Sequence, residues 1–303
     1  MTSNIAIKSD ALRDLYAEWT TLMTDNPTMG MRLFRSIFDE WHQPTVEPED
    51  VTYREEVVGG VPGIWCLPAG ADESQVMLFT HGGGFAVGSA SSHRKVAAHV
   101  AKTLGVTSFV LDYRRAPEHP HPAQIEDGVA VFDALVERGI DPNNITTIGD
   151  SAGGNLAIAI PLALKEQGKP TPGQVIVFSP WLDMENEGET LKTNNDTDAL
   201  ITPELLAGMI AGVLGDKIDP RTPLANPLYA DFTGFPRLYV NAGSVESLVD
   251  NATRLQERTE AAGVDITVNI AEGQQHVFPF LAGRSDVVTE ELARIRDWYG
   301  SAR

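Results

Sequence analysis

Gly149-Asp150-Ser151-Ala152-Gly153 is a Gly-x-Ser-x-Gly string between two segments of different period, and it constrains the fold more than any other stretch. Residues 144–148 before it are short, β-branched and apolar, the pattern of a buried strand. Asn155-Leu156-Ala157-Ile158-Ala159-Ile160 after it runs toward Lys165 with helical character. A serine at such a strand-to-helix turn is held in a strained conformation with its hydroxyl lifted clear of the sheet edge, and flanking glycines let neighbouring backbone approach. The new helix also aims its first N–H groups at the turn. Alone, the string also occurs in ordinary Gly-rich turns; its weight comes from the rest of the chain.

Read in order, the chain alternates. Residues 10–23 and 29–41 carry apolar side chains at helical spacing, among them Tyr16, Trp19, Phe38 and Trp41. Strand patterns follow at 51–58 and 61–67 around Gly59-Gly60, a hairpin signal. Further strands are expected at 75–80, 106–113, 175–179, 237–242 and 266–271. Helices are expected at 92–104, 123–137, 248–262 and 286–299. This alternation predicts a mostly parallel sheet covered on both faces. It is interrupted at 183–219, where Thr202 and Pro203 open a helix as N-cap and first residue and Gly215 ends it. An insertion there lies above the C-terminal ends of the strands, where it can roof a pocket. On pattern alone, the N-terminal helices read as packing.

A serine hydroxyl needs a base, usually histidine oriented by a carboxylate, and on sheets of this kind the order is serine, acid, histidine. Of seven histidines only His276 follows Ser151, and it lies a short loop past strand 266–271. The acid is expected after strand 237–242. Glu246 is nearest the strand end and is preferred; Asp250, one helical turn on, is the alternative, though it also suits a first-turn helix charge. His81-Gly82-Gly83-Gly84 follows an apolar strand, where side-chain-free residues let backbone N–H groups face a carbonyl. Gly83, Gly84 and Ala152 are thus the expected oxyanion donors, and His81, preceding the serine, reads as a support.

Composition narrows the class. The formal net charge is −19 with 42 % hydrophobic and 21 % charged residues, and the pI is about 4.7. Nucleic acid and anionic membranes are poor partners for such a charge. A single cysteine, Cys66, excludes an internal disulfide and a cysteine-built zinc site. No basic segment followed by an apolar run opens the sequence, and no window of 18 residues is uninterruptedly apolar, so a cytoplasmic protein without a transmembrane helix is expected.

Four motifs in order, His81-Gly82-Gly83-Gly84, Tyr113-Arg114-Arg115-Ala116-Pro117-Glu118, Gly149-Asp150-Ser151-Ala152-Gly153-Gly154 and His276-Val277-Phe278, resemble the bacterial hormone-sensitive lipase family of α/β-hydrolase carboxylesterases. The resemblance spans most of the chain from about Val51 onward. It implies an eight-stranded α/β-hydrolase sheet with helices on both faces and a helical cap. Residues 1–45 and 183–219 then form the cap, and 46–182 with 220–303 the catalytic domain. Ser151 is implied as nucleophile and His276 as base, with no metal or cofactor. Short- to medium-chain acyl esters are the implied substrates. Tyr113 and Arg114 are expected to brace the oxyanion loop, and Asp150 to be structural. One departure is Glu246-Ser247-Leu248-Val249-Asp250-Asn251, where the family usually has Asp-Pro-Leu-x-Asp-Glu; it aligns Glu246 with the acid. This form of the string resembles the branch containing ε-lactone hydrolases, so lactones join open-chain esters as candidate small-molecule substrates. Dimers are common among look-alikes, and a homodimer is the oligomer the resemblance allows. A ligand-binding protein on a dead scaffold of the same family would have lost the histidine; His276 argues against that reading.

Overall fold

The structure, a computed structural model, describes residues 3–301, with side chains from residue 11 onward. Of the expected segments 1–45 and 220–303, residues 1, 2, 302 and 303 lie outside the described residues. In chain order the elements are helices α1 (Ser3–Asp25) and α2 (Met31–Asp39), then strands β1 (Val51–Val58), β2 (Val61–Pro68) and β3 (Asp72–Thr80). Helix α3 (Ala90–Leu104), β4 (Val106–Leu111), α4 (Ala123–Glu137), β5 (Ile145–Asp150), α5 (Ala152–Glu166) and β6 (Gln174–Phe178) follow. The insertion contributes α6 (Thr190–Thr193) and α7 (Pro203–Leu214), and β7 (Arg237–Gly243), α8 (Val249–Ala261), β8 (Ile266–Ala271) and α9 (Asp286–Gly300) complete the chain.

The strands form one eight-stranded sheet in the order β1-β2-β4-β3-β5-β6-β7-β8. β1 and β2 pair antiparallel with Val58 opposite Val61, so Gly59 and Gly60 are the two-residue turn; both have positive φ (59° and 83°), which glycine adopts without Cβ strain. β2 runs antiparallel to β4, and from β4 to β8 every pairing is parallel. β4, β5 and β6 are buried along their whole length, as expected of apolar runs covered on both faces.

Caps set several boundaries. Ser89 and Ser92 form a reciprocal box at the start of α3, and Gly105 ends that helix at φ 70°. Thr202 accepts the Leu205 N–H and Pro203 occupies the first position of α7, as its sequence predicts. Two differences concern the region above the sheet. The elbow strand runs on to Asp150 and its helix begins at once, at Ala152, so the turn between them is Ser151 alone. The segment after His276 closes into a 3-10 turn, Phe278–Leu281, which its spacing does not reveal.

The N-terminal helices are part of the main core. Leu12, Tyr16, Trp19, Phe38 and Trp41 are buried in the same apolar cluster as Phe79, Ala152 and Phe280. Trp41 stacks on Phe280 at 5.3 Å between ring centroids. A second cluster, around Ile158, Val177, Leu182 and Leu238, includes residues from α5, β6, β7 and α8. No helix among the described residues is long and apolar enough to cross a membrane.

Candidate active site

Ser151 sits between β5 and α5 with φ 52° and ψ −122°, a conformation an L-residue keeps only when its surroundings over-determine it. They do. Its N–H donates to the Phe178 carbonyl at 2.9 Å, and its carbonyl accepts from Trp181 N at 3.0 Å and Asn155 N at 3.2 Å. A Cβ on Gly153 would strike the carbonyl oxygens of Thr80 and His81, so only glycine lets α5 start against the end of β3. Thr80 locks that contact, its hydroxyl donating to the Gly153 carbonyl at 2.6 Å.

The His81–Phe85 loop lies beside the elbow. Gly83 and Gly84 have φ 109° and 58°. Their N–H groups donate to no acceptor among the described residues. The Ala152 N–H, first in α5, has no carbonyl a turn earlier to bond. Gly82 N donates to Asp150 Oδ1 at 3.1 Å, tying the loop to the residue before the serine. Tyr113 donates its hydroxyl to the His81 carbonyl at 2.7 Å and stacks on the His81 ring at 4.1 Å. Burial holds the His81 imidazole well below its ordinary pKa, hence neutral, which fits a support. Among the described residues Arg114 makes no hydrogen bond to this loop. Its guanidinium pairs with Asp127 and Glu126 of α4, while neighbouring Arg115 donates to the Gly88 carbonyl at 2.6 Å. Arg35 of α2 adds a bond to the Ala86 carbonyl and a two-pronged pair with Glu118.

Glu246 and His276 come from the loops after β7 and β8, and both are fully buried. His276 Nδ1 lies 3.5 Å from Glu246 Oε2. That oxygen accepts the Ser179 hydroxyl at 2.7 Å and the Gly243 N–H at 3.3 Å. Burial pushes the imidazole pKa down, but Glu246, with Asp198 and Asp150, outweighs it, leaving His276 above the ordinary 6.5. Neither ring nitrogen has a hydrogen-bond partner among the described residues, and His276 and Ser151 line the same cavity. Asp250 belongs elsewhere: it occupies the first turn of α8, and its Oδ1 accepts from Asn251 Nδ2 at 3.1 Å. Among the described residues, no group of three or more His, Cys, Asp or Glu side chains is disposed to hold a metal ion.

A family described by the alpha/beta hydrolase fold matches residues 77–280. An acetyl-hydrolase of Streptomyces hygroscopicus is 36 % identical over 255 residues, 78 % of this chain and 85 % of that one. An esterase of Acinetobacter venetianus is 32 % identical over 296 residues, 98 % and 90 % of the two chains. The crystal structure of an esterase from the bacterial hormone-sensitive lipase family superposes with a TM-score of 0.91 at 36 % identity, covering 96 % of each chain. The chain belongs to the hormone-sensitive lipase family of alpha/beta hydrolases.

In this hydrolase the cavity at Ser151 is small, about 20 Å³, and its walls are mostly apolar: Phe38, Trp41, Val87, Leu206 and Met209 among them. An open groove of about 430 Å³ between the α1–α2 connection and α7 shares Leu200 and Leu205 with it. Trp181, in the loop after β6, lines the cavity. Phe85 lines a neighbouring pocket, and Leu182 and Phe278 are fully buried in the core. The insertion instead supplies Leu200, Ile201, Leu205, Leu206 and Met209. Sequence reasoning also misses Tyr16, Ser179 and Asp198, which bond the acid and base loops from distant positions and carry no motif of their own.

Proposed function

We propose that Ser151, His276 and Glu246 make this hydrolase a serine esterase working through an acyl-enzyme, with Gly83, Gly84 and Ala152 as oxyanion donors. The chain is a carboxylic ester hydrolase. In the proposed cycle His276 Nε2 takes the Ser151 proton as Oγ attacks the ester carbonyl, and Glu246 steadies the imidazolium at Nδ1. Charge developing on the carbonyl oxygen is met by the three N–H groups at the elbow and glycine loop. The imidazolium returns its proton to the departing alcohol, and a water deprotonated by His276 then cleaves the acyl-enzyme. The observation carrying this reading is the shared cavity of Ser151 and His276, with Glu246 3.5 Å behind the imidazole.

The apolar walls of the Ser151 cavity suit an apolar acyl group, and the groove beyond Leu205 supports a longer chain on one side of the ester. Open-chain esters and lactones both fit this description, with residues 1–45 and 183–219 as cap over a catalytic body of 46–182 and 220–303. Ser151→Ala assayed on p-nitrophenyl butyrate tests the mechanism. A fall of about 10⁴-fold or more is expected, and unchanged turnover refutes it. A panel of acyl chain lengths with ε-caprolactone separates the two substrate classes. The acid limb of kcat/KM in the wild type should have its midpoint above 6.5, because the base must be neutral and its pKa is raised.

A further inference from the structure

One peptide bond of the base loop, the one joining His276 to Val277, is held from both sides. Its carbonyl accepts the Tyr16 hydroxyl at 3.0 Å, and its N–H donates to Ser179 Oγ at 2.9 Å. Tyr16 in turn accepts from Trp41 Nε1 at 3.0 Å, and the Ser179 hydroxyl donates to Glu246 Oε2 at 2.7 Å. Every donor in this chain points the same way, from Trp41 to the carboxylate, so each bond polarises the next. Tyr16, Ser179 and Trp41 are buried, and water does not compete for these bonds. The pinned peptide also holds Val277 at φ 52° and ψ 46°. A β-branched residue pays about 1–3 kcal/mol to stay in that left-handed region, so the loop needs restraint from outside.

We propose that Tyr16 and Ser179 are positioning residues for the base: together they clamp the peptide after His276 and fix the imidazole between Glu246 and the serine cavity. The proposal rests on the reading of His276 as general base. The N-terminal helix then takes part in setting the chemistry as well as in roofing the pocket.

Tyr16→Phe keeps the buried ring and removes the hydroxyl. Freed at its carbonyl, the peptide relaxes and the imidazole drifts from Glu246. kcat on p-nitrophenyl butyrate should fall about tenfold, with KM changed less than about twofold. The acid-limb midpoint of kcat/KM should move to lower pH. The groups facing His276 are Glu246 from the β7 loop, Asp198 from the insertion, Asp150 from the elbow strand and Tyr16 from α1. Only the distance to Glu246 changes in the variant; burial keeps pushing the imidazole down and now meets less opposition. Tyr16 does not titrate in this range, since burial holds its pKa well above 10.0. Ser179→Ala should act in the same direction, and the double variant should lose less than the product of the two single losses because both act on one peptide. Thermal melts confirm that each variant is folded.

A wild-type kcat in Tyr16→Phe, a fall with an unmoved midpoint, or independent multiplication of the two losses overturns the clamp. If Ser151→Ala is inactive while Tyr16→Phe behaves as wild type, only the clamp fails. If Ser151→Ala still turns over ester, the underlying mechanism fails instead.

Discussion

At the elbow backbone presses on backbone, whereas around Glu246 and His276 side chains reach in from across the chain. Gly153 sits where a Cβ would meet two carbonyl oxygens, and Gly82 where it would meet the Asp150 carboxylate. Those contacts join the strand–turn–helix at Ser151 to the end of β3 and its glycine loop, 73 positions away for Thr80 and Gly153 and 68 for Gly82 and Asp150. The acid and base loops are tied by Tyr16 over 260 positions, by Ser179 over 67 and by Asn194 over 52. The first arrangement is specified by which residues lack side chains; the second by which residues have particular side chains at distant places. A site half built in each way has two kinds of weakness, and substitutions distinguish them.

The largest effect belongs to the side-chain half. Glu246→Ala removes the carboxylate 3.5 Å from the imidazole and leaves the Ser179 hydroxyl without its acceptor. A loss of about 10⁴-fold in kcat is expected. Asp250→Ala, whose side chain sits in the first turn of α8 beside Asn251 and Gly188, should stay within about threefold of wild type. Steady-state assays of the pair decide which acid serves; equal losses would erase the distinction drawn between them.

This contrast also explains what the sequence makes legible. The elbow, the glycine loop and the order of serine, acid and histidine all leave local strings, because glycine positions and strand-to-helix switches are short-range properties. The alternation of elements likewise predicts the parallel sheet, since its buried strands are continuous apolar runs. Ser179 looks like an ordinary strand-end residue, and Tyr16 like one more apolar position on an amphipathic helix. Nothing within ten residues of either hints at a partner 98 or 260 positions away. The same holds for Arg114 and Arg115: the string names both, but only the folded loop shows that Arg115 bonds the Gly88 carbonyl while Arg114 turns to α4.

In the backbone half the sharpest probe is Gly153→Ala. The added methyl would lie 2.5 Å from the His81 carbonyl oxygen and closer still to that of Thr80, and neither backbone can retreat without moving β3. Destabilisation of about 3 kcal/mol is expected, together with loss of activity as the elbow shifts. Gly212→Ala in α7 is the control. Nothing lies within 4 Å of its Cβ, so the change should be neutral or stabilising by about 0.5 kcal/mol. Denaturant melts of the two variants measure the difference, and similar stabilities would mean that the elbow glycines are not held as tightly as the contacts imply.

The smallest effect tests how the insertion is fastened to the side-chain half. Asp198 is buried, and its carboxylate accepts Leu200 N and Ile201 N at 2.9 Å each and Ser247 N at 2.7 Å. It joins the cavity wall to the residue after Glu246 with one side chain. Burial pushes its pKa up, but the three N–H groups favour the charged form. Asp198→Ala leaves those donors unpaired, at a cost of about 2 kcal/mol, or a fall of about 4 °C in the thermal midpoint. Because Leu200 and Ile201 wall the cavity while Ser247 follows Glu246, both KM and kcat should worsen. Asp198→Asn retains an acceptor for Leu200 and Ile201 but turns an NH₂ toward Ser247 N, so it should recover KM before kcat. Recovery of both together would mean that the carboxylate holds only the wall, and that the acid loop is fixed by Ser179 and Asn194 without help from the insertion's aspartate.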